Sequence, residues 1–300
     1  MTSGNPNKAV TTARAQQAAT PQVFAHRGFA GIYPENTVAA VEAAVDDSRT
    51  AVIEVDVMPT ADGRVVVFHD DTLTRVTNAP QSVAERPVWE LSYEQIAGYS
   101  VLGTTQSVPL LSDVLAAIPP EITVNIELKN PGSQQLRFAE LLDGQPLAAA
   151  TDRWREFVGR VLDTVAESGH EVLVSSFYEG ALAATRELAP TVPLASVFYD
   201  SIETGLTLSR RYDVTAIHPP WSMLTEPTAS TTNVPVIGPF AETDLIDVAA
   251  SEGWAVNAWT VTTWHQAAEL RRLGVDGIIT DYPGVCTAQQ RHCEPQPSSQ

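Results

Sequence analysis

Apolar and polar positions alternate along this chain with two periods, and the switches between them mark out its elements. Short apolar runs with period-two patterning predict strands over 22–25, 52–57, 122–128, 171–175, 192–197, 214–218, 254–259 and 275–279. Between them, apolar stripes at helical spacing predict helices over 152–168, 179–188, 202–211, 242–252 and 264–273. Pro34-Glu35-Asn36-Thr37 opens an earlier helix that runs to about Asp47. Asn36 or Thr37 can cap it, and Val38, Val41 and Val45 mark its apolar stripe. Ala61-Asp62-Gly63-Arg64 reads as a hairpin turn that returns through Val65-Val66-Val67-Phe68 to His69-Asp70-Asp71.

About forty residues without a clear helix follow, too long for a simple loop between strand and helix. They read as an insertion over the mouth of the fold. The pattern restarts at Val108-Pro109-Leu110-Leu111, with a helix to about Ile118, and a last helix begins near Val285. Eight core strands, each followed by a helix or an insertion, imply a parallel sheet that closes most simply into a (β/α)8 TIM barrel. A doubly wound open sheet is the alternative. It calls for a glycine-rich phosphate fingerprint after the first strand, and Gly28-Phe29-Ala30-Gly31 does not match one. The expected organisation is a flexible arm over 1–20, a barrel domain over 21–290 with an insertion over about 57–107, and a polar tail over 291–300. A Thr/Ser/Pro-rich loop over 219–239 is expected to fold across the rim.

The strand Val52-Ile53-Glu54-Val55-Asp56-Val57 carries the first chemistry. Alternation places Glu54 and Asp56 on one face, with Cα atoms about 6.8 Å apart. Two such carboxylates repel unless a hard cation lies between them, and Mg²⁺ and Ca²⁺ take oxygen ligands of this kind. The bland alternative is a polar face turned to solvent. In a barrel of this class the active site lies at the C-terminal ends of the strands. The polar residues predicted there are His26 and Arg27, Glu54 and Asp56, His69 on the hairpin, Glu127 and Lys129, and the later His218 and Trp259. Three carboxylates without a nearby Cys favour Mg²⁺ or Ca²⁺ over Zn²⁺. Two histidines suit acid–base work near neutral pH. Arg27 and Lys129 suit an oxyanion. Together they point to cleavage of a phosphate ester.

Composition sharpens this reading. With 300 residues and 44% hydrophobic content, the chain can bury a substantial core, as one large domain or two small ones. Its net charge of −18 argues against a nucleic-acid partner, and an anionic substrate would need a local cationic centre. No apolar run approaches the roughly 18 residues of a membrane span. The first twenty residues lack the apolar core of a secretory signal, which leads to a cytoplasmic expectation. The two cysteines, Cys286 and Cys293, make neither a disulfide framework nor a zinc pattern. On one continuous helix they would lie about 10.5 Å apart. A bridge would require the helix to break near Arg291-His292, so free thiols and a tail-pinning disulfide both remain open.

The motifs His26-Arg27-Gly28, Pro34-Glu35-Asn36-Thr37, Ile53-Glu54-Val55-Asp56-Val57, Asp62-Gly63 and Val66-Val67-Phe68-His69-Asp70 resemble those of the glycerophosphodiester phosphodiesterase family. So do Leu73-Thr74-Arg75-Val76-Thr77-Asn78, Val108-Pro109-Leu110-Leu111, Glu127-Leu128-Lys129, Trp259-Thr260-Val261 and the run from Asp276 to Pro283, in order and spacing. The resemblance covers roughly residues 22 to 288. It implies a TIM barrel with a small insertion after the second strand. It implies one divalent cation, Mg²⁺ or Ca²⁺, on Glu54, Asp56 and Glu127, an acid–base pair of His26 and His69, and phosphate contacts from Arg27 and Lys129. In the family, a glycerol hydroxyl of the substrate attacks its own phosphorus. Glu35 is expected to hold Arg27 or a cation-bound water, Asn36 to cap the helix, and Trp259 to face the pocket. The chain departs from the family at Arg49-Thr50-Ala51, where Gly-Ala-Asp is usual, and at Ala79-Pro80, where Gly often follows the Asn. Two alternatives stand beside this reading. One is a lysophospholipase D or sphingomyelinase D-like enzyme of the same superfamily, with Trp221, Met223 and Leu224 holding an acyl chain. The other is a non-catalytic barrel that binds a phosphate ligand. Oligomeric state is not legible.

Overall fold

Strand faces follow the period-two pattern. The computed structural model describes residues 20–132, 141–225 and 245–286. Its strands are β1 (Gln22–His26), β2 (Thr50–Pro59), β3 (Val65–Val67), β4 (Thr123–Leu128), β5 (Val172–Ser176), β6 (Leu194–Val197), β7 (Ala216–His218), β8 (Ala255–Val261) and β9 (Gly277–Thr280). Parallel pairing runs from β1 through β9, β8, β7, β6, β5 and β4 to β2, and β2 pairs again with β1. The eight parallel strands therefore close into a (β/α)8 barrel, and the open-sheet alternative is excluded. Among the described strands, only β3 stands outside, antiparallel to the end of β2 through Val57↔Val67, Met58↔Val66 and Pro59↔Val65.

Outward-facing Val23, Ala25, Ile53, Val55, Val57, Val124, Ile126 and Leu128 pack in one large core with the helices. Those helices are α1 (Val38–Val45), α2 (Gln81–Ala84), α3 (Tyr93–Ala97), α4 (Leu111–Ala116), α5 (Gly144–Ser168), α6 (Glu179–Leu188), α7 (Ile202–Arg211), α8 (Leu245–Glu252) and α9 (Trp264–Leu273). Each large side chain buried this way contributes about 1.5–3 kcal/mol. The inward face changes character along the barrel. Phe24, Val52 and Ile279 plug its N-terminal end, packed against Leu173 and Trp259. Beyond them the inward positions of β1, β2 and β4 turn polar. Gly277 belongs to the plug, because a Cβ there would stand 2.7 Å from the Phe24 ring and 2.3 Å from Asn257 Oδ1.

The insertion has its own core of Met58, Val66, Phe68, Leu73, Val76, Ala84, Val88, Leu91, Ile96, Val101, Val108 and Leu110. It contains α2 and α3, which were not expected from sequence. At four and five residues they are too short to show an apolar stripe. Helix α5 also starts earlier than the predicted 152, because its first turns are largely exposed and carry no buried stripe to read. The cap of α1 is Thr37, whose Oγ1 accepts from the Ala40 N–H. Asn36, expected to cap that helix, instead turns its amide inward to Asp56.

Trp221, Met223 and Leu224 pack on the barrel core. Most of the 219–239 loop, the N-terminal arm, the polar tail and Cys293 with its candidate bridge lie outside the described residues, while Cys286 is buried. Among the described residues, no helix is long and apolar enough to cross a membrane.

His218, one of the rim candidates, is a buried part of the barrel interior, 1% exposed. Asn257 Nδ2 donates to its Nε2 at 3.0 Å, and the Phe24 ring meets it edge-on at 6.2 Å. Burial pushes its pKa from 6.5 down to about 3. The folded protein thus keeps the ring neutral, while the unfolded chain takes up a proton below 6.5. Between 6.5 and about 3 the unfolded state binds the extra proton, so stability falls as the pH drops through that window. Urea unfolding at neutral pH and inside that window measures this loss, and His218→Gln is expected to lose less than the wild type. Equal losses would mean that His218 carries none of the acid sensitivity.

Candidate active site

Barrel register brings the predicted residues together. His26 stands beside Glu54, Glu54 beside Asn125, and Asp56 beside Glu127. Cross-strand neighbours in a parallel sheet share a face, so these side chains enter the barrel in two stacked layers. A cavity of about 630 Å³ opens above them. It is lined by His26, Arg27, Glu54, Asp56, His69, Glu127, Lys129 and Trp259 among others. Glu35 stands just behind, on Arg27. All of the predicted site residues are therefore brought to one end of the barrel.

One carboxylate oxygen each from Glu54, Asp56 and Glu127 lies within 4.8 Å of the others. A single cation at about 2.0–2.6 Å from each oxygen spans such a gap. Glu54 and Asp56 are each 2% exposed. Glu54 Oε1 is buried with no hydrogen-bond partner, while Oε2 accepts from the Arg27 N–H at 2.9 Å. A buried acceptor without a donor is costly, and a hard cation satisfies it. The donor set is all oxygen. The residues therefore fit Mg²⁺ or Ca²⁺ and suit Zn²⁺ poorly.

Taken together, burial and charge pull the Glu54 and Asp56 carboxyls in opposite directions. Burial, then the charges of Asp56 and Glu127, push the Glu54 carboxyl well above the usual range, against the pull of Arg27. Burial acts on Asp56 in the same sense, but Arg27, His69 and Lys129 outweigh it and hold that carboxyl low. Asp56 also accepts from Asn36 Nδ2 at 2.9 Å. Lys129 Nζ lies 2.8 Å from Glu127 Oε1 and 3.8 Å from Asp56 Oδ1. Burial works against its charge, and these two carboxylates more than restore it. Arg27 Nε is 3.0 Å from Asp56 Oδ2, in ion-pair contact but outside hydrogen-bond alignment. Its Nη1 donates to Glu35 Oε1 at 2.9 Å.

Both histidines are anchored through Nδ1. His26 Nδ1 lies 2.6 Å from Asp281 Oδ1, and His69 Nδ1 lies 2.6 Å from Asp70 Oδ1. A carboxylate only accepts, so each Nδ1 carries a proton and each Nε2 is the nitrogen left to exchange one. Sequence reading assigned no role to Asp281 or Asp70. Asp281 was within reach, since period two from Gly277 and Ile279 turns it inward beside His26. Arg75 was likewise missed. It bonds Asp70 and Glu35 together. On the opposite wall, Phe177 meets Tyr199 and Trp259 edge-on at 6.0 and 5.6 Å. These aromatic positions follow β5 and β6 and end β8, and apart from Trp259 no sequence signal marked them. Tyr178, beside them, is pushed up to about 12 by burial and stays protonated.

The profile of the glycerophosphoryl diester phosphodiesterase family matches residues 26–285. The chain is 31% identical over 271 residues to a glycerophosphodiester phosphodiesterase of Bacillus altitudinis, covering 87% of this chain and 95% of that one. It is 24% identical over 298 residues to a lysophospholipase D of Rattus norvegicus, covering 90% and 86%. An Oleispira antarctica phosphodiesterase, solved in complex with the product sn-glycerol-3-phosphate, shares the fold. Its TM-score is 0.67 at 22% identity, over 88% of this chain and 94% of that one. A glycerophosphodiester phosphodiesterase of Thermotoga maritima gives a TM-score of 0.64 at 21% identity, over 89% and 97%. The chain belongs to the glycerophosphoryl diester phosphodiesterase family.

Proposed function

We propose that this cavity hydrolyses glycerophosphodiesters to sn-glycerol 3-phosphate and an alcohol, with His26 and His69 carrying the protons. The observation that carries the reading is the pair of carboxylate-anchored imidazoles lining one cavity with the Glu54, Asp56 and Glu127 cluster. Two acid–base groups on one phosphodiester allow one to remove a proton from the nucleophile while the other protonates the leaving oxygen.

In the first half-reaction a glycerol hydroxyl of the substrate forms a bond to phosphorus. One imidazole Nε2 takes its proton, the P–O bond to the alcohol breaks, and the other imidazole protonates that oxygen. A cyclic phosphate and the free alcohol result. In the second half-reaction water adds to phosphorus with the two roles reversed, the ring P–O bond breaks, and sn-glycerol 3-phosphate leaves. Asp281 and Asp70 keep each ring in the tautomer this requires. Arg27 and Lys129 remain charged in the site and suit the phosphoryl oxygens. A divalent cation on Glu54, Asp56 and Glu127 would neutralise charge developing on those oxygens. The Phe177, Tyr199 and Trp259 wall offers a carbon surface to the arms of the diester. Trp221, Met223 and Leu224 pack on the core and do not line the cavity, so they lend no support to an acyl-chain site.

Replacing His26 or His69 with Ala is expected to lower kcat on glycerophosphocholine by about 10²–10⁴-fold. Calorimetric titration with Ca²⁺ or Mg²⁺ should still show binding in both variants. Near-normal rates in both would end the two-imidazole mechanism. Removing the cation with excess chelator should abolish turnover, and full activity under chelator would remove the cation from the site. Because burial and the charges of Asp56 and Glu127 favour the protonated form of Glu54 in the cation-free cluster, cation binding should displace protons and tighten as pH rises. Titration in two buffers of different ionisation enthalpy counts those protons, and Glu54→Gln should abolish the release together with most of the affinity. A cation that binds wild-type protein without proton release would contradict the assignment.

A further inference from the structure

Arg75 lies in the insertion, with its side chain about half exposed, 48%. It belongs to the Leu73–Asn78 motif, to which the reaction assigns nothing. Its guanidinium spans two carboxylates. Nε and Nη2 donate to Asp70 at 2.6 and 2.9 Å, and Nη1 and Nη2 donate to Glu35 at 2.6 and 2.7 Å. Each carboxylate also holds a group of the proposed site. Asp70 takes His69 Nδ1 at 2.6 Å, and Glu35 takes Arg27 Nη1 at 2.9 Å. A single cation on the rim therefore joins the imidazole on the hairpin to the phosphate-facing arginine at the end of β1.

We infer that Arg75 is a positioning residue that sets the spacing between His69 and Arg27, and that its planar fork is the feature that does so. The inference rests on the proposed roles of those two residues. Without Arg75, Asp70 and Glu35 are like charges with no cation between them, and they move apart. His69 and Arg27 are carried with them. Arg27 opens a run of left-handed backbone, at φ 51°, followed by Gly28 at 74° and Phe29 at 65°, so a shift of its guanidinium disturbs a strained turn. Neither His69 nor Arg27 is lost, so substrate and cation still bind, and the damage falls on the reacting geometry. Misplacement of a reacting group by about 1 Å costs about 10²-fold in rate. Lysine cannot replace the fork, since one ammonium cannot grip both carboxylates edge-on.

The test uses the full chain with Arg75→Ala, Arg75→Lys and His69→Ala. Arg75→Ala is expected to keep its thermal midpoint and its Ca²⁺ or Mg²⁺ affinity. Its kcat on glycerophosphocholine should fall by about 10–100-fold with KM changed far less. Arg75→Lys should recover only a small part of that loss. Millimolar guanidinium should restore kcat in Arg75→Ala and leave wild type unchanged, because the exposed side chain leaves a slot that a free guanidinium can enter. Three outcomes overturn the inference: kcat of Arg75→Ala close to wild type, a kcat loss matched by loss of thermal midpoint and cation affinity, or no restoration by guanidinium. Failure of the catalytic reading looks different. In that case His69→Ala itself retains activity, whatever Arg75 does.

Discussion

Everything in this barrel is arranged around two acidic side chains that are shut away from water. Glu54 and Asp56 are each 2% exposed. Burying an ion costs several kcal/mol even after relaxation, unless charge and hydrogen bonds offset it. The surrounding residues supply that offset from three directions. Arg27 and Lys129 bring charge, Asn36 brings its amide to Asp56, and the Arg27 N–H reaches Glu54. The arrangement has its own cost. Arg27 and Phe29 are non-glycine residues in left-handed backbone, as is Asn36. Strain of about 1–3 kcal/mol per residue is tolerable only where the bonds it permits are worth more. Here it aims the Arg27 N–H and guanidinium at two buried carboxylates at once. Even so, Glu54 Oε1 stays without a hydrogen-bond partner, a gap that a hard cation would fill.

Strand order gives the cavity two unlike halves. The ends of the neighbouring β1, β2 and β4 carry the ionic groups, with His69 added by the hairpin from β2. Phe177, Tyr199 and Trp259 line the far side, after β5 and β6 and at the end of β8. A phosphodiester has one charged centre and two organic arms, and a cavity split in this way matches that division. Where the halves meet, Lys129 Nζ lies over the Phe177 ring at 5.5 Å, a geometry in which the ring face also favours the cation.

What could be read from sequence was whatever depends on local period. Glu54 and Asp56 share a face because they are two apart in a strand, and the same spacing turns Glu127 inward. Register then puts Asp56 beside Glu127 with no further assumption. The hairpin turn located His69. The long-range pairings were not legible, because such contacts cross the chain: period two turns Asp281 inward but does not name its partner. Asp281 reaches His26 over 255 positions and Arg75 reaches Glu35 over 40. Asn36 shows how a local rule fails. Its side chain suits a helix cap, but a buried carboxylate twenty positions away competes for the same amide and has more to gain from it, and Thr37 next to it serves as the cap. The short helices of the insertion were invisible for another reason. Their stability comes from a core assembled across fifty residues, not from an apolar stripe of their own.

That second core explains how His69 can sit off the barrel and still be placed well. Loops are mobile by default. His69 follows a strand tied to β2 on one side and to Pro109 on the other, through the Val67 N–H at 2.9 Å. One residue before it, the Phe68 N–H donates to the carbonyl of Asp56 at 2.9 Å. The backbone of Asp56 therefore holds the segment that carries the imidazole. Phe68, Leu73 and Val76 then sink into the insertion core on either side of Asp70 and Arg75. Truncating Phe68 or Leu73 to Ala would open a cavity costing about 2–5 kcal/mol. The insertion is thus a buttress: its apolar side chains hold the loop down, and its polar ones carry that rigidity to the imidazole.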